Sequence, residues 1–169
     1  MSELRHPIEE QIPRLRRYAR ALTGERGAAD DLVQDTLERA LSRFHLWRRG
    51  SDLRAWLFTI MHNLYVNQAR SRARRRHEAL EDDPAAEPVR APEPDWLELR
   101  DLDRALARLA DEQRAVLLLV GLEQLSYGEA ARVLDVPIGT VMSRLSRGRE
   151  RLRLILSGEA KVAPLKRVK

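Results

Sequence analysis

The sequence predicts an all-α fold, in which two small helical domains are joined by a flexible, acidic and proline-rich linker. Apolar residues recur at steps of three and four, as they do on one face of a helix, and all regular patterning is of this kind. Only 5% of the residues are aromatic whereas 34% are charged, so the cores must be thin and aliphatic. The 169 residues suffice for two small domains, and the composition changes abruptly near the middle.

Two amphipathic helices are predicted at the N-terminus. The first covers about residues 7–22 and ends at Thr23-Gly24. The second covers about residues 28–44, where an apolar stripe opposes a polar, acidic face. That face includes Asp31, Gln34, Asp35 and Glu38.

A polar, basic loop over residues 44–51 leads into a long third helix. Ser51 or Asp52 can cap this helix, which we expect to run to about residue 76. Aromatic faces, amides and cations are the groups that hold unstacked bases and a nucleic acid backbone. The segment supplies several arginines together with Trp47, Asn63, Tyr65 and Asn67. The same residues would also fit a basic helical surface with no nucleic acid partner. Trp47 could equally pack the loop against the domain instead of contacting a base. Trp56 is assigned to the core.

The composition then shifts to that of a linker. Residues 81–95 contain four prolines and six acidic residues. Proline lacks the backbone N–H of a helix, and so few apolar side chains cannot form a core. We therefore predict a first domain at residues 1–78, a linker at residues 79–95, a second domain at residues 96–158 and a basic tail at residues 159–169.

The second domain is predicted to end in a helix-turn-helix. Helices over about residues 96–109 and 111–123 precede a short helix that a capping box of Ser126 and Glu129 opens. After a tight turn at residues 135–137, a last helix covers about residues 138–156. A short capped helix, a turn and a longer basic helix are typical of a helix-turn-helix.

The last helix presents arginines against a single acid, Glu150. Its arginines are Arg144, Arg147, Arg149, Arg151 and Arg153. Residues in the first turns can touch base edges in a major groove, whereas later arginines lie over the phosphates. The candidates in the first turns are Thr140, Met142, Ser143, Arg144 and Arg147. Arginines alone would indicate no more than a solvated basic face, but the preceding capped turn favours DNA binding.

The composition also limits the classes of function. The net charge is +5, and all but three of the 31 basic residues are arginines, which suits DNA binding and equally a GC-rich genome. Because the chain has no cysteine and its histidines lack ligand spacing, we expect no metal and no cofactor. No residues are spaced as a catalytic site, so an enzyme is not predicted. No apolar run is long enough for a membrane span and no signal peptide is evident, so a cytoplasmic protein without membrane insertion is expected.

Three segments resemble the extracytoplasmic-function (ECF) sigma factors of bacterial RNA polymerase, which belong to the sigma-70 family. Residues 30–40 look like the polymerase-binding helix of region two, and residues 56–63 with the arginines after them are similar to the helix that melts and reads the minus-ten element. Residues 125–152 resemble the region-four helix-turn-helix. The three occur in the family's order and span nearly the whole chain. The resemblance implies a sigma factor that directs promoter-specific initiation by core RNA polymerase.

The resemblance also implies roles for single residues in region two. The polymerase clamp helices would be contacted by Asp31, Gln34, Asp35 and Glu38. The loop with Trp47, Arg48 and Arg49 would form a pocket for a flipped base of the nontemplate strand. Asn63 and Asn67 would contact that strand, and phosphates would be held by Arg70, Arg74 and Arg75.

For region four, the resemblance implies that the last helix reads the minus-thirty-five element while the domain contacts the polymerase flap. The implied reading residues are Thr140, Met142, Ser143, Arg144, Ser146, Arg147 and Arg149. Met142 and Ser146 depart from the family pattern, in which a basic and a bulky residue are common. An anti-sigma factor is a further implied partner.

Two other functions remain open from the residues. A conventional helix-turn-helix regulator would need a ligand pocket or a dimerisation helix in its N-terminal half, and neither is evident. A sigma-mimicking module would bind an anti-sigma factor without DNA. Such a mimic need not retain Asn63, Arg144 and Arg147.

Overall fold

The fold is all-α, as predicted, in a computed structural model that describes residues 2–82 and 97–158, with side chains for residues 6–79 and 100–158. The described residues contain no β-strand. The helices are α1 (Ser2–Glu9), α2 (Ile12–Thr23), α3 (Arg26–Ser42), α4 (Leu53–Asp82), α5 (Leu97–Ala107), α6 (Asp111–Leu117), α7 (Tyr127–Leu134) and α8 (Ile138–Leu156). They group into two compact units, one centred on α1 to α4 and the other on α5 to α8. No helix in the described ranges is both long and apolar enough to cross a membrane.

The single helix predicted over residues 7–22 is wrong, because the chain forms two helices there. Pro13 stands at the beginning of α2, where its missing N–H breaks the hydrogen bonding of a continuous helix but costs a new helix nothing. The predicted stop at Thr23-Gly24 is confirmed. Gly24 adopts a left-handed φ of 69°, and its N–H donates to the Arg20 carbonyl at 2.9 Å.

The core of the first unit lies where α3 packs against both α2 and α4. Its fully buried side chains include Leu15, Leu22, Leu32, Leu57 and Met61. Tyr18 of α2 meets Phe58 of α4 edge to face, with ring centroids 5.1 Å apart. This packing fixes which face of α4 remains exposed.

Asp52 caps α4, one of the two caps that the sequence predicted. Its Oδ1 accepts from the N–H of Arg54 at 2.9 Å and of Ala55 at 3.3 Å. The helix continues to Asp82, beyond the predicted end near residue 76, since the added residues are good helix formers and the first proline comes only at Pro84. The rest of the predicted linker and the whole predicted tail lie outside the described residues.

A buried arginine joins α5 to α6. Arg114 is only 9% exposed, and its guanidinium donates to the carbonyl oxygens of Leu106 at 2.8 Å, Ala107 at 3.2 Å and Leu109 at 2.9 Å. It also pairs with Asp111 at 3.2 Å. The last carbonyls of a helix lack the usual intrahelical donors, and Arg114 supplies donors to them, although the Leu106 carbonyl also accepts from the N–H of Leu109 at 3.1 Å.

The helix predicted over residues 111–123 changes geometry in its second half. After α6 the chain makes a π-helical turn over residues 118–122, in which the N–H of Glu123 donates to the Leu118 carbonyl at 2.9 Å. The wider turn ends at Gln124, which has a left-handed φ of 58°. Glu123 and Leu125 are thereby buried beside the beginning of the helix-turn-helix.

The predicted helix-turn-helix is confirmed in detail. The N–H of Ser126 donates to Glu129 Oε2 at 2.7 Å, and the N–H of Glu129 donates to Ser126 Oγ at 3.1 Å, which is the reciprocal pairing of a capping box. Asp135 turns the chain with a φ of 54°, and α8 begins directly after Pro137. The corner is filled by Ala130, Val133, Val141 and Leu145.

Close packing of α8 on α6 depends on Gly148. A Cβ atom at this position would lie 3.1 Å from Leu117 Cδ1 and 3.3 Å from Gln113 Cβ. Gly148→Val is therefore expected to lower the free energy of unfolding of the second unit by about 1–3 kcal/mol, because overpacking pushes the helices apart. Native-state hydrogen exchange of the α8 amides measures this loss.

Gly128→Val is the matched control for that substitution. A Cβ atom on Gly128 would meet nothing within 4 Å, so the free energy of unfolding should change by no more than about 0.5 kcal/mol. Equal losses for the two variants would contradict the packing argument.

Candidate nucleic-acid interface

Four side chains form a stripe along α4, which we call the α4 stripe. Asn63, Asn67, Arg70 and Arg74 follow one another at steps of four, three and four residues, so they share one face of the helix. All four are exposed. Arg75, which the sequence grouped with them, lies on the next face and donates to Ser71 Oγ at 3.4 Å. The α4 stripe can offer amides at one end and guanidinium groups at the other.

Tyr65 does not belong to this surface, so the sequence prediction for it is wrong. It is 7% exposed and lies in the core. Tyr65 follows Leu57, Phe58 and Met61 at helical steps, whereas Asn63 and Asn67 do not. That spacing is the signal in the sequence that separates the two faces.

Aromatic side chains pack together where the 44–51 loop meets α4. The ring centroid of Phe44 lies 5.3 Å from that of Trp47 and 6.2 Å from that of Trp56. All three are half-buried, so Trp56 lies at the margin of the core rather than inside it. Trp47 both anchors the loop and exposes part of its ring, while its buried Nε1 donates to no group among the described residues. Arg48 and Arg49 are exposed beside it.

The polar side of α3 forms a second surface, which we call the acidic face. It consists of Asp31, Gln34, Asp35 and Glu38, all of which are exposed. Gln34 Nε2 donates to Glu38 Oε1 at 3.3 Å, and Gln68 Nε2 of α4 donates to Asp35 Oδ2 at 3.2 Å. No ion pair within the described residues neutralises the three carboxylates, so the acidic face keeps its charge for a partner.

The side of α8 opposite the buried Val141, Leu145 and Gly148 is exposed, and we call it the reading face after its predicted role. Four of the seven predicted reading residues are exposed, namely Met142, Ser146, Arg147 and Arg149. Thr140, Ser143 and Arg144 are half-buried. The Ser143 hydroxyl donates to the Thr140 carbonyl at 3.1 Å within the helix.

Two of the five α8 arginines have acidic neighbours, which changes the predicted charge balance. Arg153 donates twice to Glu150, at 2.9 and 3.2 Å, and these hydrogen bonds together with the positive charge lower the pKa of Glu150. Arg144 Nη2 lies 3.6 Å from Glu112 Oε2 of α6. Glu150 is the one acid within α8, and the fold adds Glu112 of α6, which is distant in sequence. Arg147 and Arg149 have no acidic partner among the described residues.

A shallow groove runs beside α8 at the beginning of α7. It is lined by Tyr127, Met142, Leu145, Ser146, Arg149, Glu150 and Arg153. Among the described residues, no cluster of histidine and carboxylate side chains could hold a metal ion. The groove and the exposed arginines therefore offer shape, charge and hydrogen bonding as means of recognition.

Comparison with known proteins gives a consistent result for both halves. Residues 8–62 match the profile of the sigma2 domain of PhyR, and residues 99–152 match that of sigma-70 region 4. The ECF RNA polymerase sigma factor EcfG of Rhodopseudomonas palustris (strain TIE-1) is 39% identical over 155 residues, which cover 90% of this chain and 84% of EcfG.

Two solved structures are similar to the chain as well. The sigma factor RpoE of Bartonella quintana, in complex with the anti-sigma factor NepR, matches with a TM-score of 0.79 and 34% identity, over 93% of this chain and 98% of RpoE. The anti-anti-sigma factor PhyR of the same organism, also complexed with NepR, matches with a TM-score of 0.57 and 20% identity, over 86% of this chain and 48% of PhyR. The second likeness is one of fold alone.

Proposed function

The chain belongs to the ECF family of RNA polymerase sigma factors, and we propose that it binds core RNA polymerase and directs initiation at specific promoters. The observation that carries this proposal is the presence, in one chain, of the α4 stripe and the reading face of α8. A protein that opens DNA as well as locating it needs both surfaces. In this proposal residues 1–78 are region two, residues 79–95 the linker and residues 96–158 region four.

Region two would hold the nontemplate strand of the minus-ten element. The exposed amides of Asn63 and Asn67 suit base edges, and the guanidinium groups of Arg70 and Arg74, with Arg75 beside them, suit phosphates. At the loop, the partly exposed side chain of Trp47 offers a stacking surface, whereas its Nε1–H is buried. Arg48 and Arg49 would attract the backbone of the flipped nucleotide.

Region four would place α8 in the major groove of the minus-thirty-five element. Met142, Ser146 and Arg147 project from the exposed side in its first three turns, where base edges are reached. Ser143 lies near the middle of that side, Thr140 and Arg144 lie at its margin, and Arg149 is placed for a phosphate.

The proposed protein partners follow from the charged surfaces. The acidic face would dock on the clamp helices of the largest polymerase subunit, and region four would contact the flap. An anti-sigma factor is proposed as a third partner, since the similar protein RpoE is solved in complex with one.

A second candidate is a sigma mimic, because the first half matches the sigma2 domain of PhyR, an anti-anti-sigma factor. That match covers residues 8–62 and stops before Asn63, the first residue of the α4 stripe. A mimic has no use for the exposed α4 stripe. We therefore favour the sigma factor.

Transcription in vitro with core polymerase on genomic fragments distinguishes the two candidates. A sigma factor is expected to give RNA with defined start sites only when this protein and core polymerase are both present. Asn67→Ala should lower the yield of open complexes without lowering assembly with core polymerase. Tight binding to an anti-sigma factor, with no RNA from any fragment, would establish the mimic instead.

Arg147→Ala tests the reading face. Arg147 is chosen over Arg144 because it has no acidic partner whose release would complicate the result. If Arg147 reads a base, the holoenzyme should lose about 1–3 kcal/mol of binding free energy at its own promoter and discriminate less at one position of the minus-thirty-five element. Competition binding with single-base promoter variants measures both effects.

Arg151→Ala is the control on the same helix, because its late position suits phosphate contacts. It should weaken all promoter variants by the same factor. Uniform weakening by Arg147→Ala as well would show that Arg147 only holds phosphate.

A further inference from the structure

Two large apolar side chains are exposed in the first two turns of α8, that of Ile138 and, on the reading face, that of Met142. This residue lies in the second turn of the helix and is 52% exposed. Ile138, one turn earlier on the helix, is equally exposed, and the other exposed neighbours on that side are polar or cationic. A single exposed apolar residue is common on protein surfaces, so exposure alone indicates little.

The second observation is that Met142 does not stand alone. Tyr127, at the beginning of α7, is 38% exposed and lines the same groove. The buried Leu145 extends this lining inward. Two helices of the helix-turn-helix thus contribute to one apolar floor at the edge of the reading face.

The rim of this groove is polar. Ser146 and Arg149 border the floor on α8. Arg153 lies there too, but its charge is offset by Glu150, whose carboxylate accepts two hydrogen bonds from its guanidinium. Arg149 is thus the arginine of this groove with no acidic partner among the described residues. It can hold a phosphate of bound DNA while the apolar floor faces the bases.

The major groove offers one apolar group for such a floor to contact. Thymine carries a C5-methyl group, whereas the other base edges present only hydrogen-bond donors and acceptors. Methionine donates no hydrogen bond, and its flexible, polarisable thioether adapts to small apolar groups. We infer that Met142, supported by Tyr127, is a specificity residue that recognises the methyl group of a thymine in the minus-thirty-five element. The inference rests on the proposed function of α8.

Replacing a thymidine of the promoter with deoxyuridine tests the inference, because the two nucleotides differ only in the C5-methyl group. Promoter templates randomised over the minus-thirty-five region are first selected by the wild-type holoenzyme. Each thymine of the selected region is then replaced singly, on either strand, and binding of the holoenzyme is measured. One replacement should weaken wild-type binding about fourfold, the effect of one buried methyl-sized group. The holoenzyme with Met142→Ala should bind the duplex with thymine and the duplex with deoxyuridine at that position equally well.

Leu156→Ala is the matched control. Leu156 lies on the same helix and is 51% exposed, but it is distant from the first turns. This variant should keep the fourfold sensitivity to the methyl group. The inference is overturned if each replacement affects the wild type and Met142→Ala alike, or if the selected region contains no thymine. If the wild-type holoenzyme selects no sequence in this region, the proposed function of α8 itself is wrong.

Discussion

Replacing Arg114 with methionine is expected to lower the free energy of unfolding of the second unit by about 3 kcal/mol. Methionine fills similar space but cannot donate to the three carbonyl oxygens between α5 and α6 that the guanidinium now satisfies. The Leu106 carbonyl would keep the N–H of Leu109 as a donor at 3.1 Å, whereas a carbonyl left buried without any donor has lost the water that it had in the unfolded chain. Native-state hydrogen exchange of the α6 and α8 amides measures the loss.

Two further variants show whether the hydrogen bonds of Arg114 are responsible. Arg114→Lys keeps a positive charge and some of the donors, so its loss should be intermediate. Arg104→Met removes an exposed arginine whose pair with Asp101 spans 3.8 Å, and should change the free energy by less than about 0.5 kcal/mol. If Arg114→Met proved as stable as Arg104→Met, the capping role of Arg114 would be refuted.

Asp31→Lys is expected to weaken assembly with core polymerase roughly 30-fold or more, since disrupting a close interfacial charge pair costs about 2 kcal/mol at the least. Asp31 is exposed on α3, so the substitution leaves the core intact. Reversal of its charge turns an attraction for a basic partner into repulsion. Titration of the fluorescently labelled protein with core polymerase gives the dissociation constants of the wild type and of Asp31→Lys.

The control for this reversal is Asp103→Lys, an equal change of charge on an exposed position of α5. It should leave assembly nearly unchanged. Asp35→Asn adds a milder test, because asparagine can still accept from Gln68 while losing the charge. Equal weakening by Asp31→Lys and Asp103→Lys would mean that net charge, rather than the acidic face, governs assembly.

Features encoded within a few residues could be predicted from the sequence. The capping box needs only Ser126 and Glu129, three positions apart, and both of its hydrogen bonds are present. The beginning of α8 is fixed by Pro137. The prediction failed where a local signal and a longer pattern disagreed. At Pro13 the proline indicates a new helix, but the apolar periodicity continues across the break between α1 and α2 and suggested a single helix.

Features created by tertiary packing could not be predicted. The approach of Arg144 to Glu112 joins α8 to α6, which only the packing of the second unit brings together. Nothing in the sequence around Arg114 distinguishes it from the exposed arginines, yet the fold buries it against the end of α5. The three-dimensional arrangement, rather than the number of arginines, therefore decides which of them can contact DNA.

The carboxylates beside Arg144 and Arg153 affect how the protein responds to ionic strength. The affinity for DNA depends on salt because protein cations that neutralise phosphates release the counterions condensed on the DNA, and an arginine already paired with a carboxylate contributes less to this release. With two of the five α8 arginines already balanced internally, that dependence should resemble one set by three phosphate contacts rather than five. The proposed sigma factor should then bind bulk DNA more weakly than it would with five unpaired arginines on α8.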